Sequence, residues 1–434
     1  MNSSDLHLWH PFTNQEAGTP PPIVRRGEGV FLETQDGRRI LDAISSWWVN
    51  LHGHSHPAIA NAIAEQSARL EHVLFAGFSH EPAEELASRL GKIVPLPLRH
   101  VFFSDDGSTA VEVALKLAVQ FWRNSGRPEK HEIVALENGY HGDTVGAMSV
   151  SDDSPFTSAF ASLRIPVLRA HAPRCHHCPQ GSGGAAWHIE CLKTLEKLFS
   201  ERGSQIAAMI VEPLLQGAGG MIVHPEEFLA GVRRLTSQYD ILLIADEVLT
   251  GFGRTGRMFA CDRAEIVPDI MCVAKGITGG FLSLAATLTT DRVRETFSGS
   301  DATRTFFHGH SYTANPIACA AANANLQIFE SEPVFERIAA IEKVHRARLP
   351  GFAGDSRVTD VRMIGTVAAI ELNVPDAGYL SSLRPRLYNF YLDRGVLLRP
   401  LGNVVYILPP YAITPDQVHF VYDAIAESMA LLSQ

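Results

Sequence analysis

No stretch of this chain is apolar for long enough to cross a bilayer: runs such as Ile241-Leu-Leu-Ile-Ala245 are short, whereas a spanning helix needs about 18 consecutive apolar residues. The start, Met1-Asn-Ser-Ser-Asp-Leu-His, lacks a basic region followed by an apolar stretch, so no secretory leader is expected and the cytoplasm is the expected compartment. Basic charge is also scarce. The 37 Lys and Arg stand against 47 Asp and Glu, a formal charge of −10, and no run of five or six like charges occurs. That excludes the electrostatic footprint of a nucleic-acid or anionic-membrane binder. Six cysteines in 434 residues are too few for a disulfide framework. Cys175-His-His-Cys178, with His188 and Cys191, has ligand types and spacings compatible with zinc. The Pro, Gly and Ser around it favour a surface excursion with free thiols instead, and no metal is expected.

What the chain does have is a length sufficient for two or three domains and a 46% hydrophobic composition. Its middle alternates compact apolar runs with helical periodicity. Ile133–Leu136, Ile206–Val211, Ile241–Ala245, Ile270–Val273 and Leu284–Thr289 are nearly continuous in apolar residues, as strands buried on both faces of a mainly parallel sheet should be. An α/β fold is therefore expected. Val111, Leu115, Ala118 and Trp122 recur at helical spacing, and Thr109 with Glu112 reads as a capping box, so a helix should begin near Ser108. A central large domain is expected over 61–325, with segments 1–60 and 326–434 forming a smaller lobe from both chain ends.

Two motifs concentrate the chemistry. Leu243-Ile-Ala-Asp-Glu-Val-Leu-Thr-Gly-Phe-Gly-Arg-Thr-Gly256 is followed by Cys272-Val-Ala-Lys-Gly-Ile-Thr-Gly-Gly280, which places Asp246 and Lys275 at the carboxyl ends of successive strands, where open α/β sheets bind ligands. Such a pair suits pyridoxal phosphate: the lysine forms the Schiff base, and the acid keeps the pyridine nitrogen protonated. Read alone, it also fits a structural ion pair. Ser104-Asp-Asp-Gly-Ser-Thr109 leads from Val101-Phe-Phe103 into the helix, offering Gly107, Ser108 and Thr109 as a phosphate site at a helix N-terminus. In Glu137-Asn-Gly-Tyr-His-Gly-Asp143, Tyr140 can stack on a planar cofactor and Asp143 can orient it. Strand alternation puts Val248 on the opposite ring face.

Taken together, the strings DDGSTAVEVALK, ENGYHGDT, VEPLLQGAGGM, DEVLTGFGRTG, AKGITGG and HGHSYTANP resemble the class III, fold-type I, pyridoxal-phosphate aminotransferases. The resemblance implies a large domain with a mainly parallel seven-stranded sheet, pyridoxal 5'-phosphate as cofactor, and a homodimer with shared active sites. It also implies roles. Lys275 would be the Schiff-base lysine and proton carrier, Asp246 the pyridine partner, Tyr140 the residue over the ring, and Gly107 with Ser108 the phosphate cup. Gly309 and Ser311 would complete that cup in the partner's site. Leu8-Trp-His-Pro-Phe-Thr13, Asp42-Ala-Ile-Ser-Ser-Trp-Trp48, Asn138 to Ser149 and Gly395-Val-Leu-Leu-Arg-Pro400 are similar to the biotin-synthesis branch of the class. This implies conversion of 8-amino-7-oxononanoate to 7,8-diaminononanoate, with Arg399 receiving the substrate carboxylate and Trp47 and Trp48 lining its apolar chain. S-adenosyl-L-methionine is the expected amino donor on the strength of the Trp pair. Phe12 and His310 also resemble a smaller lysine-using branch, and another class III enzyme acting on an ω-amino acid or diamine is the remaining alternative.

Overall fold

The computed structural model describes residues 7–13, 21–173 and 187–433. Its centre is a seven-stranded sheet built from β1 (His100–Ser104), β2 (Glu132–Leu136), β3 (Leu168–Ala170), β4 (Ile206–Val211), β5 (Leu242–Asp246), β6 (Ile270–Val273) and β7 (Ala285–Thr289). The order is β1-β7-β6-β5-β4-β2-β3. Only β7 runs antiparallel to its neighbours; the other pairings are parallel. Every residue of β4, β5, β6 and β7 is buried, which accounts for their unbroken apolar sequences.

Helix Gly107–Asn124 packs across this sheet through Val111, Leu115, Ala118 and Trp122, all buried, and the Trp122 indole N–H donates to the Ala207 carbonyl at 2.8 Å. It begins at Gly107, beside the expected Ser108, but its capping pair is not the expected one. The N-cap is Asp106, which accepts from the Thr109 amide while the Thr109 hydroxyl accepts from the Asp106 amide. Glu112 instead turns outward to the neighbouring helix Val145–Val150, accepting from the Thr144 hydroxyl and the Gly146 and Ala147 amides. The local pattern was a capping box one turn displaced.

Of the smaller sheets, one draws on both chain ends and another on the C-terminal part alone. Val24–Glu28, Phe31–Thr34 and Arg39–Asp42 form a meander completed by Val396–Leu397, which pairs in parallel with Leu41–Asp42. That pairing brings the chain after Asp42 beside the chain after Leu397, so Trp47 and Arg399 become neighbours. Val358–Ile364, Val367–Leu372 and Val404–Ile407 form an antiparallel sheet. Among the described residues no helix is long and apolar enough to cross a membrane, and no group of three or more potential ligands could hold a metal. Cys175 to Cys178 and the His188 side chain lie outside the described residues; Cys191 is buried on helix Trp187–Arg202.

Candidate active site

At the carboxyl edge of the large sheet lies a cavity of about 560 Å³. Its floor is Asp246, the last residue of β5 and buried. Asp246 Oδ2 lies 2.7 Å from His141 Nδ1, and Oδ1 accepts from the Val248 amide at 3.1 Å. Because β5 ends at Asp246, Val248 reaches the cavity through this turn and not through strand alternation. Just beyond β4, the buried Glu212 accepts from the Tyr140 and Gly217 amides, each at 2.9 Å. Burial pushes the Glu212 carboxyl up to about 7, against the lowering effects of His141 and the two amides.

Lys275 follows β6 in the left-handed region, φ +44°, a conformation that costs a non-glycine residue of order 1–3 kcal/mol and is held only by its surroundings. Its side chain is half-buried, with Nζ 5.2 Å from the centre of the Trp48 ring. Burial lowers its pKa, while the charges of Asp246 and Glu212 oppose that shift. The amine is thereby biased toward its neutral, nucleophilic form.

Gly107 and Ser108 open the long helix and face the same cavity. Their amides are among those a helix leaves without internal partners, at the positive end of its dipole. The Ser108 hydroxyl accepts from the Asp143 amide at 3.1 Å. At Gly142, with φ +126°, any side chain would overlap Ser108. A Cβ on Gly107 would stand 2.6 Å from Val248 Cγ1, so the helix start can approach Val248 this closely only because residue 107 is glycine. Thr109 does not line the cavity; its hydroxyl is committed to the cap. The Tyr140 hydroxyl donates to Asp143 Oδ1 at 2.9 Å, and burial followed by the Asp143 charge raises its pKa. The Tyr140–His141 loop is fixed from below, as Ser151 Oγ accepts from the His141 amide at 2.8 Å.

The far wall is aromatic. Trp47 stands in a contorted segment, with Ser45, Ser46 and Trp48 all at positive φ, stitched by Asp42, which accepts from the Ile44 and Ser46 amides. Phe12 packs edge-on against Trp47 and Phe156, with centroids 5.5 and 5.6 Å apart. The Arg399 guanidinium lies 5.0 Å from the Trp47 ring centre and donates to the Tyr379 hydroxyl at 3.1 Å. Trp48 is buried, its N–H donating to the Tyr406 hydroxyl at 3.0 Å.

The structure thus brings together Lys275, Asp246, Tyr140, Gly107, Ser108, Val248, Trp47, Trp48 and Arg399 around one cavity. Gly309 and Ser311 are not among its lining residues and are exposed on the single chain; between them, His310 Nε2 lies 3.5 Å from Asp105 Oδ1. Sequence reasoning missed His141, Glu212, Phe156 and Tyr379. Glu212 carried the same signal as Asp246, an acid directly after an unbroken apolar run, and His141 stood beside Tyr140 in a motif already singled out. Phe156 and Tyr379 carried none. The residues fit pyridoxal phosphate: a buried acid for the ring nitrogen, a lysine biased toward its neutral form, and a helix start opened by a glycine against which a side chain would clash.

The Aminotransferase class-III family model matches residues 12–429. The chain is 47% identical over 425 residues to the adenosylmethionine-8-amino-7-oxononanoate aminotransferase of Synechococcus elongatus, covering 98% of each. It is 44% identical over 433 residues to that of Geobacter sulfurreducens, covering 98% of this chain and 95% of the relative. The solved structure of the Methanocaldococcus jannaschii adenosylmethionine-8-amino-7-oxononanoate aminotransferase superposes with a TM-score of 0.91 at 37% identity, over 98% of this chain and 97% of that one. A PLP-bound amine transaminase from an uncultivated Pseudomonas species gives 0.93 at 32% identity, over 99% of both. With nearly its whole length matched and its strand-end acid and lysine facing one cavity, the chain belongs to the class III aminotransferases.

Proposed function

We propose that this enzyme transfers an amino group from S-adenosyl-L-methionine to 8-amino-7-oxononanoate, giving 7,8-diaminononanoate for biotin biosynthesis, with pyridoxal phosphate as cofactor. One observation carries the reading beyond the family: Arg399 lies against Trp47 in an aromatic wall that shares the cavity with Lys275. A long apolar ketone ending in a carboxylate needs both, an apolar wall along its chain and a planar, permanently charged partner at its end. Phe12 and Phe156 line the same cavity, where their π electrons would favour a sulfonium cation. The names of the relatives in Synechococcus and Geobacter agree with this substrate and donor.

When bound, pyridoxal phosphate supplies an electron sink for the carbon that loses its proton. Asp246 would hold its ring nitrogen, with His141 fixing the carboxylate. Tyr140 and Val248 would cover the two ring faces, and the Gly107 and Ser108 amides would take the phosphate. Lys275 Nζ takes the proton from the donor's amine-bearing carbon, and in the second half of the cycle a proton is returned from the same atom. Trp47 and Trp48 exclude water along the substrate chain, and Arg399 holds its carboxylate.

The enzyme works, in this reading, as a cytoplasmic homodimer in which the Gly309–Ser311 segment of each copy completes the other's phosphate site. Exposed Phe307 and Tyr312 flank that segment, at 78% and 62% exposure, as an apolar surface awaiting a second copy would. Cys261, Cys272 and Cys319 are buried free thiols, in keeping with a reducing compartment. The division into residues 1–60, 61–325 and 326–434 is part of the same proposal, supported by the large sheet drawing all its strands from within 100–289.

The test is product analysis by mass spectrometry with 8-amino-7-oxononanoate and each of S-adenosylmethionine, lysine and a diamine as donor. Formation of 7,8-diaminononanoate with S-adenosylmethionine is expected. Conversion with lysine alone overturns the donor, and no conversion with any donor overturns the substrate.

A further inference from the structure

Tyr379 belongs to none of the sequence motifs, yet it lines the cavity. It sits between strand Val367–Leu372 and helix Leu383–Asp393, on a connection tied down at several points. Ser381 N donates to the Gly378 carbonyl at 3.0 Å, and Asp376 Oδ2 accepts from the Ser382 amide at 2.9 Å. The phenol ring is gripped on two sides: Phe156 packs edge-on with centroids 4.5 Å apart, and the Arg384 guanidinium lies 4.4 Å from the ring centre. The hydroxyl is therefore placed before any ligand arrives, which removes an ordering cost from binding.

That hydroxyl accepts from Arg399 Nη2 at 3.1 Å. A phenol that accepts still has its own hydrogen to donate, and a guanidinium has further N–H groups beyond the one it uses on Tyr379. We propose that Tyr379 is a specificity-determining residue. Its O–H donates to the substrate carboxylate seated on Arg399, so recognition needs the pair and not the guanidinium alone. This rests on the reading of Arg399 as a carboxylate receptor and adds a residue that carries the preference for acid over neutral analogue.

The experiment compares 8-amino-7-oxononanoate with its methyl ester in the wild type and in Tyr379→Phe, which keeps the ring between Phe156 and Arg384. Loss of one hydrogen bond to a charged group should raise KM for the acid by roughly tenfold to a hundredfold. The kcat with the acid should stay within about twofold, and KM for the ester, whose neutral carbonyl is the weaker acceptor, should rise several-fold less than KM for the acid. Equal losses for acid and ester, or acid kinetics that do not change, overturn the proposal. A wild type that handles the ester as well as the acid overturns the carboxylate subsite itself. Should the wild type refuse both, 6-aminohexanoate and hexylamine as donors make the same comparison by single-turnover absorbance. A mistaken substrate is thereby told apart from a mistaken Tyr379.

Discussion

Replacing Gly107 by Ala tests whether the cofactor slot depends on the close approach of the helix start to Val248. The added Cβ would meet Val248 Cγ1 at 2.6 Å and Cγ2 at 3.2 Å, distances that cannot persist. Val248 has little freedom to yield. Its χ1 is stiff because it is β-branched, and its backbone amide is tied to Asp246 at 3.1 Å. The helix start must therefore move, carrying the Gly107 and Ser108 amides with it. Overpacking of this kind costs roughly 1–3 kcal/mol, and if it falls on the cofactor site, affinity for pyridoxal phosphate should drop about fivefold to 150-fold. The assay is fluorescence titration of the apoenzyme with pyridoxal phosphate. Val248→Ala removes both offending methyl groups, so Gly107→Ala on that background should bind within about threefold of Val248→Ala alone. A double-mutant cycle isolates this coupling. Gly107→Ala binding like the wild type, or a loss that Val248→Ala leaves unchanged, would refute the reasoning.

Asp246→Asn keeps the shape and removes the charge at the cavity floor, so kcat should fall at least about a hundredfold while cofactor stays bound; activity and cofactor stoichiometry on one preparation check it, and full activity rules Asp246 out. Arg169 donates to the carbonyls of Ser149, Val150 and Ser151 at 2.6–2.7 Å, clamping the turn from which Ser151 holds His141. Arg169→Met should lower Tm by roughly 2–5 °C and weaken cofactor retention, with Arg169→Lys restoring only part, as calorimetry of holoenzyme would show. Burial holds His224 at about 3 and His345 at about 4, below the ordinary 6.5. Both are neutral in the fold and protonated on unfolding in acid, so the stability they contribute is intact above pH 6.5 and lost as pH falls toward about 4 for His345 and about 3 for His224. Urea midpoints against pH should slope downward there, and His345→Gln, able to donate to Thr366 and accept from Tyr422 as His345 does, should flatten the slope.

The floor of the site was legible because it is local. Apolar runs buried on both faces announce β4, β5 and β6, and the chemistry-bearing residue follows each run directly: Glu212, Asp246, Lys275. Strand spacing does the rest, setting these ends side by side at one sheet edge. Asp246 and Lys275 were read this way; Glu212 was not, although it obeys the same rule. The cap at Asp106 was misplaced because Asp106, Ser108 and Thr109 all satisfy the preference for a cap, and only backbone geometry chooses between them. Trp47 and Arg399 were placed in one site by resemblance alone. Their meeting depends on Val396–Leu397 pairing with Leu41–Asp42, a contact between opposite ends of the chain that no local pattern encodes. Tyr379 and Phe156 meet in the same non-local way.

This division has a consequence for specificity. The amine transaminase of the uncultivated Pseudomonas species matches this chain with a TM-score of 0.93, slightly above the 0.91 of the oxononanoate enzyme from Methanocaldococcus. Backbone likeness therefore does not rank substrates, as expected where function resides in a site grafted on a shared fold. The strand-end residues of the floor are fixed by the sheet and, on the proposed function, would serve the step common to all transaminases. On the proposed function, substrate choice would fall to side chains that come together only through the chain ends and the loops around the cavity: Phe12, Trp47, Phe156, Tyr379 and Arg399. These can change without disturbing the sheet, because none of them lies on its strands. Tyr379→Phe and Asp246→Asn should accordingly fail in different ways, the first in KM for one class of substrate and the second in kcat for all of them.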